Sequence, residues 1–140
     1  MEKKKQVVGT IILFFSLFLV TACKGSADIQ SNWYAVNKEN QKARIEITEN
    51  EIKIKPDGAK EEVYSYKQVG TGIENNRSYK TLEVVNQGSL SVVFPNRKDK
   101  DKAVLLVPNN SDSPMEGKIS WSLGKEDYPD SEMFNSSLKN

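Results

Sequence analysis

Alternation of apolar and polar residues is the feature that most restricts the fold of this chain. Residues 43–48 read ARIEIT, residues 51–55 read EIKIK, and only Glu49 and Asn50 separate the two segments. Apolar side chains at every second position place one face of a β-strand in a core and leave the other in water. The pattern therefore predicts consecutive antiparallel strands, and it does not match the spacing of a helix.

Similar segments recur along the chain, separated by turn residues such as Pro-Asp-Gly at 56–58 and Asn-Gln-Gly at 86–88. We also expect a turn at Gly70-Thr71-Gly72. Short strands at regular spacing favour an all-β sandwich or barrel, and closing a meander removes its exposed edges. The predicted fold is an all-β antiparallel meander of about eight strands, closed into a small barrel, with strands at 31–36, 43–48, 51–55, 61–69, 78–85, 89–94, 102–107 and 117–123.

The alternation also predicts which side chains point into the barrel. Tyr64 and Tyr66 share one face of their strand, and Val63 lies on the other. The predicted core consists of Trp33, Ile45, Ile47, Ile52, Ile54, Leu82, Val84, Leu90, Val92, Phe94, Ile119, Trp121 and Leu123.

The first part of the chain has a different composition. A basic head at residues 1–5 (MEKKK) precedes an apolar run over residues 7–20. That run is short for a transmembrane helix, which needs roughly 20 apolar residues. A basic head with such a run is the layout of a secretory signal peptide. An uncleaved membrane anchor is the alternative.

The only cysteine of the chain ends this region, in Val20-Thr21-Ala22-Cys23. The sequence resembles the bacterial lipobox. The resemblance implies that the Cys23 thiol is alkylated with diacylglycerol, that the chain is cut before Cys23, and that the mature protein is anchored at the extracytoplasmic face of the cell membrane. We therefore predict a signal peptide (1–22), a lipidated tether (23–30), a β-barrel domain (31–124) and a C-terminal tail (125–140), and we expect nothing before Ser31 to pack.

Composition restricts the function further. Removing residues 1–22 takes away three lysines and one glutamate, which moves the formal net charge from +1 to −1. A nearly neutral chain gives no electrostatic reason to expect nucleic-acid binding. Since the chain has no histidine, the Ser-His-Asp triad and imidazole zinc sites are excluded. We expect neither enzymatic activity nor a metal or cofactor, and we interpret the charged run at 97–102 as a solvated loop.

The start of the predicted barrel carries a second resemblance. Ser31-Asn32-Trp33-Tyr34 resembles the Gly-x-Trp-Tyr opening of lipocalins, in which the tryptophan plugs the closed end of an eight-stranded barrel and the open end binds a small apolar ligand. Serine replaces the glycine here, and no arginine follows the last strand to stack on Trp33. The pattern is also similar to that of small lipocalin-like lipoproteins of Gram-positive bacteria. An ordinary core tryptophan is the alternative interpretation of Trp33.

These observations predict a membrane-anchored, non-enzymatic binding module, with a small apolar molecule as its candidate ligand. The candidate pocket is lined by aromatic side chains, namely Trp33, Tyr64, Tyr66, Phe94 and Trp121. Two alternatives stay open. The first is an envelope lipoprotein of the inhibitor or immunity type that binds another protein. The second is a precursor whose signal peptide yields a pheromone from residues 15–22 (FSLFLVTA), as in some bacterial lipoproteins.

Overall fold

The computed structural model describes residues 24–130. Residues 1–23, which hold the predicted signal peptide and Cys23, and residues 131–140 lie outside this range. The predictions of cleavage, lipidation and pheromone release therefore concern residues that the structure does not describe.

Within residues 24–130 the chain forms eight β-strands, each antiparallel to the next in sequence. The last strand pairs with the first, where Ala35 lies opposite Leu123, and this pairing closes the barrel. The predicted fold class is therefore confirmed. The strands are β1 (Ser31–Val36), β2 (Lys42–Ile47), β3 (Glu51–Pro56), β4 (Glu62–Glu74), β5 (Arg77–Val84), β6 (Gly88–Phe94), β7 (Lys102–Pro108) and β8 (Gly117–Gly124).

The β4–β5 hairpin is longer than the sequence suggested. Gly70 and Gly72 lie inside β4, so the predicted turn at residues 70–72 is wrong. The turn falls instead at Asn75 and Asn76, whose φ angles of 53° and 64° are the positive values that the commonest hairpin turn requires. Gly72 is tolerated in the strand because the ring of the opposite residue, Tyr79, covers it closely.

The barrel interior holds most of the predicted core. Nine of the thirteen residues are buried, and Ile54, Leu90 and Trp121 are partly buried against the same cluster. Ile119 is the exception, because it packs outside the barrel against Val93, Val104 and Leu106. A register shift in the β7–β8 pairing places Leu105 opposite Trp121 but Leu106 opposite Ile119. The extra residue in β8 turns Ile119 to the outer face, which the alternation alone could not indicate.

The segment before β1 closes one end of the barrel. The amide of Gly25 donates to the Glu49 carbonyl (2.7 Å), and Ser26 exchanges hydrogen bonds with the Gln68 side chain in β4. Ile29 is fully buried in the core, and its carbonyl accepts the indole hydrogen bond of Trp33 (3.0 Å). We call residues 24–30 the plug. The expectation that nothing before Ser31 packs is wrong.

Because successive strands run in opposite directions, the connectivity determines which strand ends and loops lie at the end of the barrel that the plug closes, the plugged end. The start of β1, the end of β8 and the connections β2–β3, β4–β5 and β6–β7 all lie at this end. The other four connections lie at the opposite end.

Candidate functional site

The five aromatic residues of the predicted pocket lie in one cluster in the barrel. Trp33 and Phe94 are fully buried, and their ring centroids are 6.4 Å apart. Tyr66 is buried beside them, and Tyr64 and Trp121 are partly buried against the same cluster. All five therefore belong to the core of the barrel. Ligand binding by these residues stays a prediction.

The cluster is tightly filled by the protein itself. Trp33, Phe94, Leu82 and Leu105 each expose 1% or less of their surface. Because protein interiors are packed to nearly crystalline density, an apolar ligand between these side chains would have to displace some of them.

Tyr66 is the most constrained polar group of this cluster. Its hydroxyl donates to the Thr48 carbonyl (2.6 Å), at the end of β2. Burial, followed by the nearby Glu49 carboxylate, raises the pKa of Tyr66 from 10.0 to about 12. The Tyr66 hydroxyl therefore has a hydrogen-bond partner within the protein.

Tyr64 differs, because its hydroxyl is at the surface. It donates to the Glu62 carboxylate two residues earlier (2.5 Å), and this hydrogen bond raises the pKa of Tyr64. The two tyrosines share a strand face, as predicted, but only Tyr66 extends its hydroxyl under the plug.

Trp33 has a cationic neighbour that the sequence reasoning missed. Lys125, the first residue after β8, places its Nζ atom 5.3 Å from the centroid of the Trp33 ring. A cation within about 6 Å of an aromatic ring face is attracted by its electrons. A lysine thus occupies the place where the lipocalin comparison had suggested an arginine. The missed signal was a basic residue of another type directly after the last strand.

A basic groove lies at the plugged end, between the tip of the β4–β5 hairpin and the β6–β7 connection. Its volume is about 510 Å³. Within it, Lys80 donates to the Thr71 hydroxyl (2.9 Å), and Lys100 donates to the Ser78 hydroxyl (2.8 Å). We call it the basic groove; it is lined by Thr71, Gly72, Ile73, Ser78, Lys80, Arg97, Lys98 and Lys100.

The plug contributes one carboxylate, that of Asp28, to the basic groove. Asp28 Oδ2 lies 3.7 Å from Nζ of Lys80 and 3.7 Å from Nζ of Lys100. Its other oxygen, Oδ1, is buried and accepts no hydrogen bond from the described residues. Asp28 therefore ties the plug to both lysines.

The charged run at 97–102, which we interpret as a solvated loop, directs its positive and negative side chains to different places. Arg97, Lys98 and Lys100 line the basic groove. Asp99 and Asp101 line a different depression of about 360 Å³, together with the carboxylates that follow β8. Among residues 24–130, no three acidic, histidine or cysteine side chains are grouped so that they could hold a metal ion.

Comparisons with known proteins do not assign this chain to a family. No protein-family model matches it, and neither does any curated protein or solved structure. In the part of the chain that the structure describes, no helix is long and apolar enough to cross a membrane.

Proposed function

We propose that this chain is a lipid-anchored extracytoplasmic lipoprotein, held at the cell membrane by a diacylglyceryl group on Cys23, and that its barrel is a non-enzymatic binding module. The basic head, the apolar run and the Val20-Thr21-Ala22-Cys23 sequence support the anchor. The plug then limits how far the barrel lies from this anchor. Because Gly25 is already bonded to the barrel, the attachment point lies only two residues, or about 7 Å of extended chain, from the fold.

We further propose that the chain is a lipocalin-like lipoprotein of the Gram-positive type. The observation that favours this is the closed eight-stranded meander with Trp33 at the start of its first strand. The cation of Lys125 over the Trp33 ring adds to the likeness.

Because side chains fill the interior of the barrel, its outer surface or one of its ends is the more favourable place for a partner to bind. Three valines on β4 and after β5 expose about half of their surface, namely Val63, Val69 and Val85. Val85 lies beside β4, since its amide donates to the Ser65 carbonyl (2.9 Å). Exposed apolar side chains on neighbouring segments suit contact with a protein of the envelope, as an inhibitor or immunity lipoprotein would make.

A small apolar ligand inside the barrel is the second candidate, and the shared cluster of five aromatic side chains favours it. Native mass spectrometry of the protein after mild extraction distinguishes the two. Co-purifying apolar mass would support the internal ligand. A ligand-free mass together with a captured envelope protein would support the external surface.

The anchor has its own test. We expect Cys23→Ser to abolish incorporation of an alkyne fatty acid and to leave unprocessed precursor, because the thiol is the acceptor of the lipid. Thr21→Ser is the matched control, since it keeps a small residue two positions before the cysteine. Equal labelling of the Cys23→Ser chain would contradict the proposal.

A further inference from the structure

We infer that the basic groove binds the phosphate group of an anionic membrane lipid. The inference rests on the proposed anchor, because the anchor brings this end of the barrel to a bilayer. It assigns to the groove a ligand of defined chemistry, separate from the aromatic cluster inside the barrel.

The hairpin builds the floor of the groove. The inward face of β4 and β5 carries core residues such as Tyr66, Leu82 and Val84. Towards the plugged end the same face continues as Thr71, Ser78 and Lys80. A strand face that changes from apolar to basic where it leaves the core is suited to a charged ligand at the barrel end.

The two central lysines are held in place before any ligand arrives. Lys80 is the more buried, with 15% of its side chain exposed, and the Thr71 hydroxyl fixes its ammonium group. Lys100 is fixed by Ser78, and its ammonium lies 4.3 Å from the centroid of the Phe94 ring. An ammonium group has three protons to donate. Each lysine directs one to a hydroxyl and faces Asp28, which leaves donor capacity for phosphate oxygens.

Charge balance favours an anion. Four cationic side chains line the groove, and Asp28 is the carboxylate in contact with two of them. The acidic residues of the same loop, Asp99 and Asp101, line the other depression. The surface is therefore locally positive here, although the net charge of the chain is −1 after removal of residues 1–22. An anionic bilayer attracts such a cluster of cationic side chains.

The position of the groove favours a lipid as the source of the phosphate. The plug, which leads back to Cys23, crosses the same end of the barrel and contacts both lysines. Ile73, in the wall of the groove, exposes 64% of its surface and could enter the apolar boundary below the head groups.

The test uses the full mature lipoprotein with Ile73→Cys, labelled with an environment-sensitive dye and reconstituted in bilayer discs. The discs contain phosphatidylcholine alone or phosphatidylcholine with phosphatidylglycerol, and a third sample adds inorganic phosphate to the neutral discs. We expect a blue shift of the dye only in the discs with phosphatidylglycerol. High salt should reduce it, because ions screen surface charges.

Lysine variants then assign the effect to the groove. Lys80→Gln with Lys100→Gln should abolish most of the shift, and the exposed Lys98→Gln should reduce it. Lys38→Gln with Lys60→Gln, at exposed positions of the opposite end, is the matched control and should retain it. An unchanged shift in both the central double variant and Lys98→Gln would overturn the site. An equal shift with inorganic phosphate would overturn the lipid source.

The number of dye molecules bound per chain tests the anchor at Cys23 independently of the basic groove. A lipidated Cys23 has no free thiol, so one dye per chain is expected by mass spectrometry. Two dyes per chain would contradict the proposed anchor, whereas one dye without a lipid-dependent shift would contradict the groove alone.

Discussion

At the scale of single residues, Gly25 shows how closely the plug approaches the barrel. A Cβ atom at this position would lie 1.9 Å from the Tyr66 hydroxyl oxygen and 3.0 Å from the ring carbon that carries it. Tyr66 cannot easily yield, because it is buried and donates to Thr48. Only glycine fits between the plug and this tyrosine.

We therefore expect Gly25→Ala to lower the free energy of unfolding by about 1–3 kcal/mol, the usual range for overpacking. Gly70→Ala is the matched control, because its nearest neighbour would be 3.6 Å away, an ordinary contact. Urea denaturation of both variants measures the difference. Equal stability of the two would show that the plug does not press on Tyr66.

Tyr66 also predicts a dependence of stability on pH. Its pKa is about 12 in the folded chain, against 10.0 as the ordinary value. The raised pKa contributes to the stability of the folded chain, and this contribution is complete below about pH 10. It is lost as the pH rises through about 12, because between these values only the unfolded chain releases the proton. We expect the free energy of unfolding, measured with urea, to fall less steeply between about pH 10 and about pH 12 in Tyr66→Phe than in the unchanged chain. The same pH dependence in both chains would contradict this.

At the scale of elements, the plug packs against the core of the barrel as the eight strands do, although residues 24–30 form no strand. Its contribution rests on Ile29, whose side chain is fully buried and whose carbonyl holds Trp33. Residues 24–30 (KGSADIQ) do not predict this packing, because they contain one large apolar residue and no periodic pattern.

We expect Ile29→Ala to lower the free energy of unfolding by about 2–5 kcal/mol, the range for emptying a buried aliphatic site. Ile73→Ala removes the same atoms at a position that is 64% exposed, and it should change stability by less than about 0.5 kcal/mol. Thermal or urea unfolding compares the two isoleucines directly. A small loss at Ile29 would mean that the end of the barrel stays closed without it.

The strands themselves were predictable, and the reasons lie in their residues. Ile45, Ile47 and Ile52 alternate with charged residues, so one register alone buries them. Gly70 and Gly72 were misread because glycine usually interrupts a strand, whereas here a register shift and the Tyr79 ring accommodate them.

Tertiary contacts explain the remaining differences. The orientation of Ile119 depends on one extra residue in β8. The basic groove depends on how the loop at 97–102 folds in space, which a run of alternating charges does not reveal.

At the scale of the whole molecule, the start of the folded unit can be located by truncation. A chain that begins at Lys24 retains every described contact of the plug, and we expect it to fold. A chain that begins at Ser31 loses Ile29 and the hydrogen-bond acceptor of Trp33, and we expect a much lower unfolding midpoint with red-shifted tryptophan emission. Equal midpoints for the two chains would place the start of the folded unit at β1, as the sequence alone suggested.

The closeness of the plug to Cys23 also has a consequence for the order of maturation. With Gly25 bonded to Glu49, only Lys24 lies between that bond and the predicted lipid site. A processing enzyme that cuts before Cys23 needs the chain accessible on both sides of the cut, and a docked barrel would obstruct the downstream side. If Cys23 is processed as proposed, export, lipid transfer and cleavage precede the docking of residues 24–30, and closing the end of the barrel is the last step in making the mature protein.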